Sequence, residues 1–172
     1  MDCYRKSAVE AFEKVETLVR AWLEEERITR VDVYLNGLGA VEDTRCRRTA
    51  DGERRSVRID GSAGSAVNEL RGMQALPGRG AWFYSHLWME MPEEVLHQES
   101  DWMCEPDMGF DEVPLGAYKT ELDRYPRDQE FIPDWLRDKV ERWRLERGPV
   151  VARRVAHLEE EFRLEGGKYR YP

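Results

Sequence analysis

The fold of this chain is decided by residues 81–91, which read AWFYSHLWMEM. The residues alternate between two sets, and this period of two is typical of a β-strand, where successive side chains point to opposite faces. One set is Ala81, Phe83, Leu87, Met89 and Met91, and the other is Trp82, Tyr84, His86, Trp88 and Glu90. The pattern predicts a central strand of a sheet.

Further strands are predicted on both sides of this stretch. Pro92-Glu93-Glu94 is a turn signal, after which residues 95–103 run back antiparallel. Upstream, residues 31–35 alternate between apolar and polar side chains before Asn36-Gly37, a dipeptide typical of turns. Residues 40–60 have Asp51-Gly52 near their centre, the pattern of a hairpin. The strands predict an antiparallel sheet of about five members.

Two helices are predicted before strand 81–91. Residues 7–27 carry apolar side chains every three or four positions, the period of an amphipathic helix. A shorter helical pattern follows the stretch Gly61-Ser62-Ala63-Gly64-Ser65 and ends at Pro77-Gly78. We therefore expect an N-terminal helix and one short helix inserted into the sheet.

The last third of the chain is predicted to be helical. A short stripe of apolar residues ends at Pro126, and Pro133 opens a second helix that breaks at Gly148-Pro149. A final helix is predicted over residues 151–162 and closes at Gly166-Gly167. These C-terminal helices are expected to pack on the sheet, the last two as an antiparallel hairpin.

Composition agrees with a single α+β domain over residues 1–172. Hydrophobic residues make up 41% of the chain and charged residues 36%, enough apolar bulk for a core inside a charged surface. The net charge of −8 disfavours nucleic acid as a partner and favours a basic protein. The chain has no apolar run of about 20 residues and no signal-peptide pattern, so no membrane partner and a cytoplasmic location are expected.

No cofactor or metal site is predicted. Cys3, Cys46 and Cys104 are widely spaced and contain no CxxC pair, so we interpret them as isolated free thiols. None of the spacings typical of hydrolases, zinc proteases or nucleotide-binding loops is present. One alternative remains for an enzyme: His97, Glu99 and Asp101 alternate along a predicted strand and could form a metal or acid/base cluster. A solvent-facing strand shows the same polar alternation.

The segment between Arg79 and Lys119 contains no Lys or Arg and many carboxylates. Either Arg45 to Arg58 neutralise this acidic run across the sheet, or the run steers a basic partner. Trp and Tyr are enriched at binding hot spots; we expect Trp82 in the core and leave Trp88 and Trp102 open. The predicted partner-binding residues are Trp88, Glu90, Glu93, Glu94, Glu99, Asp101, Trp102, Glu105, Asp107 and Asp111.

Three short stretches resemble a known family. Residues 78–83 read GRGAWF, residues 118–127 read YKTELDRYPR and residues 132–136 read IPDWL. Together they resemble the YezG-like immunity proteins of bacterial polymorphic toxin systems, although Tyr125 stands where the family pattern has Phe. The resemblance covers residues 78–136 and includes no catalytic residue.

The resemblance implies a stoichiometric inhibitor that covers a toxin domain in the cytoplasm of its producer, and not an enzyme. Our hypothesis is that the acidic hairpin, residues 88–112, covers the active cleft of a cognate toxin, which we expect to be basic. The toxin's activity stays open. A general adaptor that binds some other protein is a further alternative.

Overall fold

The structure is a computed structural model that describes residues 2–59, 61–109, 112–147 and 150, with side chains from residue 7 onward. The predicted final helix over residues 151–162 and the break at Gly148-Pro149 lie outside the described residues. The elements are α1 (Asp2–Glu26), β1 (Arg30–Leu38), β2 (Val41–Ala50), β3 (Glu53–Val57), α2 (Gly61–Met73), β4 (Tyr84–Glu90), β5 (His97–Asp101), α3 (Leu115–Arg124) and α4 (134–147). A short 3₁₀ turn, Gln129–Phe131, lies between α3 and α4. The fold is α+β, as predicted.

The sheet is antiparallel throughout, in the order β3-β2-β1-β4-β5. Strand β4, which lies within the stretch at 81–91, has a neighbour on each side, while β1 occupies the middle. Asp51 and Gly52 both have positive φ, 51° and 75°, at the tip of the β2–β3 hairpin, as a two-residue turn of this kind requires. The hairpin prediction is therefore confirmed.

The turn predicted at Asn36-Gly37 is wrong. Strand β1 continues through both residues to Leu38, and the turn falls at Gly39-Ala40, where Gly39 has a φ of +65°. Gly37 is small for another reason: a Cβ placed on it would lie 2.5 Å from Nε of Arg71. The glycine makes room for a buried arginine, and a sequence pattern does not distinguish this role from a turn.

The main core lies between one face of the sheet and the helices α1 and α2. Val33 of β1 and Leu87 of β4 are 1% exposed and pack with Leu23 of α1 and Leu70 of α2. Trp82, just before β4, is also 1% exposed and belongs to this cluster. The expectation that Trp82 is a core residue is confirmed.

A second cluster joins the C-terminal helices to the end of the sheet. Leu38 at the end of β1 and Phe83 before β4 pack against α3 and α4. The buried members are Leu38, Phe83, Met108, Tyr118, Leu136 and Val140. This packing holds the loop after β5 against the sheet.

A buried charged trio, Arg71, Glu121 and Arg127, connects α2 with α3 and with the segment that follows α3. The Glu121 carboxylate accepts hydrogen bonds from Arg71 Nη2 at 2.8 Å and from the Gly39 backbone N–H at 2.6 Å, and it lies 3.8 Å from Arg127 Nη2. All three side chains are at most 1% exposed. Burial lowers the pKa of Arg127 to about 10, while Glu121 opposes that shift.

Arg127 also connects the trio to the sheet. Arg127 donates to the backbone carbonyls of Ala81 and Trp102, so it ties the entry of β4 to the exit of β5. Gly80, with a φ of +77°, leaves room for this guanidinium. Arg127 and Gly80 therefore help to set the positions of β4 and β5.

Candidate functional site

The sheet has a second face, opposite α1 and α2, which we call the outer face. The cross-strand register places even-numbered residues of β1 beside even-numbered residues of β4 and odd-numbered residues of β5. Side chains that are far apart in sequence therefore share one surface. The outer face carries Asp32, Tyr34, Arg45, Arg47, Arg54, His86, Trp88, Glu90, His97, Glu99 and Asp101.

The centre of the outer face is a row of stacked rings from three strands. Tyr34 stacks on His86 with ring centroids 4.5 Å apart, His86 on Trp88 at 4.8 Å, and Trp88 on His97 at 5.0 Å. All four rings are half-buried. Because each ring braces its neighbour, the row is a preformed aromatic strip, and little side-chain freedom remains to be lost on binding.

Beneath this ring row lies the buried carboxylate of Asp32, which is 2% exposed. It accepts hydrogen bonds from Arg30 Nη2 at 2.9 Å and from Arg54 Nη2 at 3.3 Å, and His86 Nε2 lies 3.1 Å away. Burial raises the pKa of Asp32, but hydrogen bonds from Arg30 and His86 outweigh burial and hold the pKa below its usual range. The ionised carboxylate therefore anchors both the ring row and the neighbouring guanidiniums.

One side of the outer face, formed by β2 and β3, is basic. Arg45, Arg47 and Arg54 are exposed there. The Arg47 guanidinium lies 5.9 Å from the centroid of the Tyr34 ring, at the end of the ring row. Arg45 pairs with Asp43 at 2.7 Å and with Asp107 at 3.2 Å. The basic side thus meets the ring row at Tyr34.

The other side of the outer face, formed by β4 and β5, is acidic. Glu90, Glu99 and Asp101 are exposed on it. Glu90 pairs with Arg30 at 2.9 Å, and the Asp101 carboxylate accepts backbone N–H groups of the following loop at 2.7 and 3.1 Å. Four predicted partner-binding residues, Trp88, Glu90, Glu99 and Asp101, are therefore brought together on one surface.

The other predicted residues lie elsewhere. Trp102 packs against the main core on the opposite side of the sheet, with the Arg79 guanidinium 5.0 Å from its ring centroid. Glu93 and Glu94 occupy the β4–β5 turn, 3.5 Å from His97 and 3.9 Å from Arg20 respectively. Glu105 lies 3.7 Å from Lys139, Asp107 pairs with Arg45, and Asp111 lies outside the described residues.

The arginines of residues 45–58 neutralise little of the acidic run. Among the ion pairs of the described residues, Arg45 is the member of that segment that reaches the run, at Asp107. Strands β1 and β4 stand between β2 and β5, so cross-strand pairing is out of range for the others. Arg30, Arg20 and Lys139 pair instead with Glu90, Glu94 and Glu105.

His97, Glu99 and Asp101, the possible acid/base cluster, do share the outer face. His97 contacts Glu93, and the described part of the chain contains no group of three or more His, Cys, Asp or Glu side chains arranged to hold a metal ion. Burial raises the pKa of Cys46 to about 12 and that of Cys104 to about 11, so both free thiols stay protonated at neutral pH.

Sequence reasoning missed Asp32, Tyr34 and Arg47 as parts of this surface. In the sequence, Asp32 and Tyr34 are the polar positions of an alternating strand. Arg47 is one of several arginines in a predicted hairpin. The missing information was the register that sets Tyr34 opposite His86 and Asp32 opposite Trp88. The sequence signal that could have identified Asp32 is a charged residue between two valines, Val31 and Val33.

No helix in the described ranges is long and apolar enough to cross a membrane. Comparison with known proteins finds no family model that matches the chain and no curated protein that matches it. Function is therefore inferred from the outer face and from the resemblance at residues 78–136.

Proposed function

We propose that this chain is an immunity protein, which binds a cognate toxin domain and neutralises it by covering its active site. The observation that carries the proposal is the acidic side of the outer face, where exposed Glu99 lies one same-face pair along the strands from half-buried Trp88 and exposed Asp101 shares the surface. A surface that combines a braced Trp with carboxylates suits a protein partner that presents both apolar and basic groups. The protein acts, on this proposal, in the cytoplasm of the toxin's producer.

The ring row supplies the apolar part of such an interface. Trp88 is held between two imidazoles, His86 and His97, at 4.8 and 5.0 Å. A ring that is already fixed loses little conformational entropy when a partner covers it, so more of its buried area appears as affinity. Trp88 is the residue on this face that best fits the description of a hot spot.

Charge supplies the rate of encounter. The chain carries a net charge of −8, and Glu90 and Glu99 are exposed on the acidic side of the outer face. Complementary charge raises association rate constants above the roughly 10⁵–10⁶ M⁻¹s⁻¹ of neutral surfaces, and salt suppresses that gain. A toxin with a basic cleft is the partner that these charges favour.

The resemblance adds support because its residues have a structural role that fits. Glu121 and Arg127 belong to the resembling stretch at 118–127 and fix β4 and β5 through the buried trio. Those two strands carry Trp88, Glu90 and Glu99 on their outer side. The shared residues thus support a binding face and supply no reactive group.

The test uses the product of the gene adjacent to this one, which the proposal predicts to be the cognate toxin. We expect wild-type protein to co-purify with the toxin domain and to protect cells that express it, while Glu90→Lys/Glu99→Lys loses protection and binds at least tenfold more weakly. The matched control is Glu13→Lys/Glu24→Lys, which makes the same charge change at exposed positions of α1, on the other side of the sheet. Circular dichroism confirms that both variants are folded.

Two results would count against the proposal. If wild-type protein neither binds nor protects against the neighbouring toxin, the assignment as its immunity protein is wrong. If the outer-face variant binds and protects as well as wild type, the acidic side is the wrong surface. Asp101 is left unchanged because its carboxylate also holds the loop after β5.

A second candidate is an enzyme that uses His97, Glu99 and Asp101, because the structure does place these three on one face. Elemental analysis of the purified protein separates the two candidates, since a stoichiometric transition metal would favour the enzyme. A general adaptor without a toxin partner is distinguished by the protection assay.

A further inference from the structure

The outer face is divided by charge as well as by strand order. Arg45, Arg47 and Arg54 lie on the β2–β3 side, and Glu90, Glu99 and Asp101 lie on the β4–β5 side. The ring row begins at Tyr34 on β1, beside the basic side, and crosses β4 to His97 on β5, among the carboxylates. A partner that covers this face meets cations at one end of the row and carboxylates beside the rings at the other.

Among the described residues of the outer face, Arg47 and Glu99 are charged side chains that make neither an ion pair nor a side-chain hydrogen bond. Arg47 makes no ion pair with any described carboxylate, and its contact is with the Tyr34 ring. Glu99 makes no ion pair with any described cation. Both side chains are exposed. Neighbours on the same face are already paired: Arg54 with Asp32, and Glu90 with Arg30.

The separation of these two charges makes them independent features of the surface. Arg47 lies on β2 and Glu99 on β5, with β1 and β4 between them. Three strand spacings of about 4.8 Å place the two backbones roughly 14 Å apart. This exceeds the Debye length of about 8 Å at physiological salt, so in the free protein the two exposed charges interact little with each other.

We infer that the toxin surface that fits the outer face carries opposed charges: a carboxylate that meets Arg47 and a cation that meets Glu99, together with an apolar patch that covers the ring row. This inference rests on the proposed immunity function and refines it. A uniformly basic cleft would desolvate Arg47 without a counter-charge, which is costly in an interface.

The net charge of this chain does not predict a carboxylate on the partner opposite Arg47. An acidic protein of net charge −8 suggests a basic partner throughout. A uniformly basic partner and a partner with opposed charges predict opposite changes in affinity for Arg47→Glu. Against a uniformly basic cleft, Arg47→Glu removes a repulsion and tightens binding. Against a cleft of opposed charges, it removes an attraction and weakens binding.

The experiment measures the dissociation constant of the chain for a catalytically inactive form of the neighbouring toxin domain at 0.15 M salt. We expect Arg47→Glu to weaken binding about tenfold or more and Arg47→Gln to weaken it by a smaller factor. The matched control is Arg55→Glu, the same charge change on edge strand β3 but on the other face of the sheet. It should stay within about twofold of wild type.

The possible outcomes distinguish failure of the opposed-charge inference from failure of the proposed immunity function. If wild type fails to bind the toxin, the proposed function is overturned. If wild type binds and Arg47→Glu binds equally or more tightly, the opposed-charge inference is overturned while the immunity function stands. Rescue of Arg47→Glu by reversing one toxin carboxylate to Lys supports the inference and identifies the contact.

A second copy of this chain is the competing occupant, because a face with cations on one side and carboxylates on the other is complementary to itself after a two-fold rotation. Sedimentation of the chain alone tests it. A second copy predicts that wild type dimerises, that Arg47→Glu and Glu99→Lys each sediment as monomers, and that their equimolar mixture dimerises again. That set of results would overturn the toxin assignment of this surface. Monomeric wild type supports the toxin.

Discussion

The buried trio and the outer face use the same chemistry, arginine against carboxylate, with opposite results. In the trio, Arg71 and Glu121 are 1% and 0% exposed, and the carboxylate also holds the backbone of Gly39. On the outer face, Arg30 and Glu90 are 36% and 56% exposed. A sealed contact fixes the relative positions of distant segments, whereas an open one leaves charge available to a partner.

The largest expected effect breaks the sealed region. Glu121→Gln leaves the guanidiniums of Arg71 and Arg127 buried without their carboxylate, and loss of one partner of a buried ion pair costs about 3–5 kcal/mol. We expect the free energy of unfolding, measured by urea titration, to fall by that amount. A loss below about 1 kcal/mol would show that the trio does not hold the fold.

An intermediate loss of stability is expected at Asp32, the buried carboxylate of the outer face. Asp32→Asn removes the anion that Arg30, Arg54 and His86 share, and hydrogen bonds to a charged group are worth about 1.5–3 kcal/mol. The unfolding free energy at pH 7 should fall by about that much. Tyr34 and His86 should also stack less well, which near-ultraviolet circular dichroism detects.

The pH dependence of this effect has a definite sign. The folded pKa of Asp32 lies below the usual value of 3.8, so its contribution is complete above that value and is lost as the pH falls through the lowered pKa. The gap in stability between wild type and Asp32→Asn should therefore narrow at acidic pH. A gap that stays constant down to pH 2 would contradict the assignment of an ionised Asp32.

A smaller effect tests the reason for glycine in β1. Gly37→Ala places a methyl group 2.5 Å from Arg71 Nε, and overpacking of this kind costs about 1–3 kcal/mol. Gly61→Ala is the control, because Gly61 also has no positive φ and a Cβ there meets no atom within 4 Å. If Gly37→Ala is as stable as wild type, Arg71 can move aside and the sealed region is less rigid than its contacts indicate.

The smallest effect is expected for the open ion pair. Glu90→Gln removes the partner of Arg30 at a site that is 56% exposed, and exposed pairs contribute about 0–1 kcal/mol. We expect the unfolding free energy to change by less than 1 kcal/mol while toxin association becomes slower and less sensitive to salt. Glu121→Gln and Glu90→Gln together test whether the buried trio contributes mainly to stability and the exposed ion pair mainly to binding.

The sequence predicted the fold class because that information is local. Alternation at 81–91 and the Asp51-Gly52 turn each depend on a few adjacent residues. The surface was harder to predict, because strand register decides it: residues 99 and 101 join Trp88, whereas Trp102 points the other way. The Arg71–Glu121 contact spans 50 positions, and neither residue type predicts burial, since charged residues are normally exposed.

The contacts of Glu121 have a consequence for how this protein can change over generations. One carboxylate joins the β1–β2 turn through Gly39, α2 through Arg71, and the neighbouring guanidinium of Arg127. None of these contacts involves Arg47, Trp88 or Glu99. Substitutions at separated sites act nearly additively, so a lineage can exchange outer-face residues for new ones while its scaffold persists. If the proposed function holds, recognition of a different toxin can then evolve by single substitutions while every intermediate stays folded.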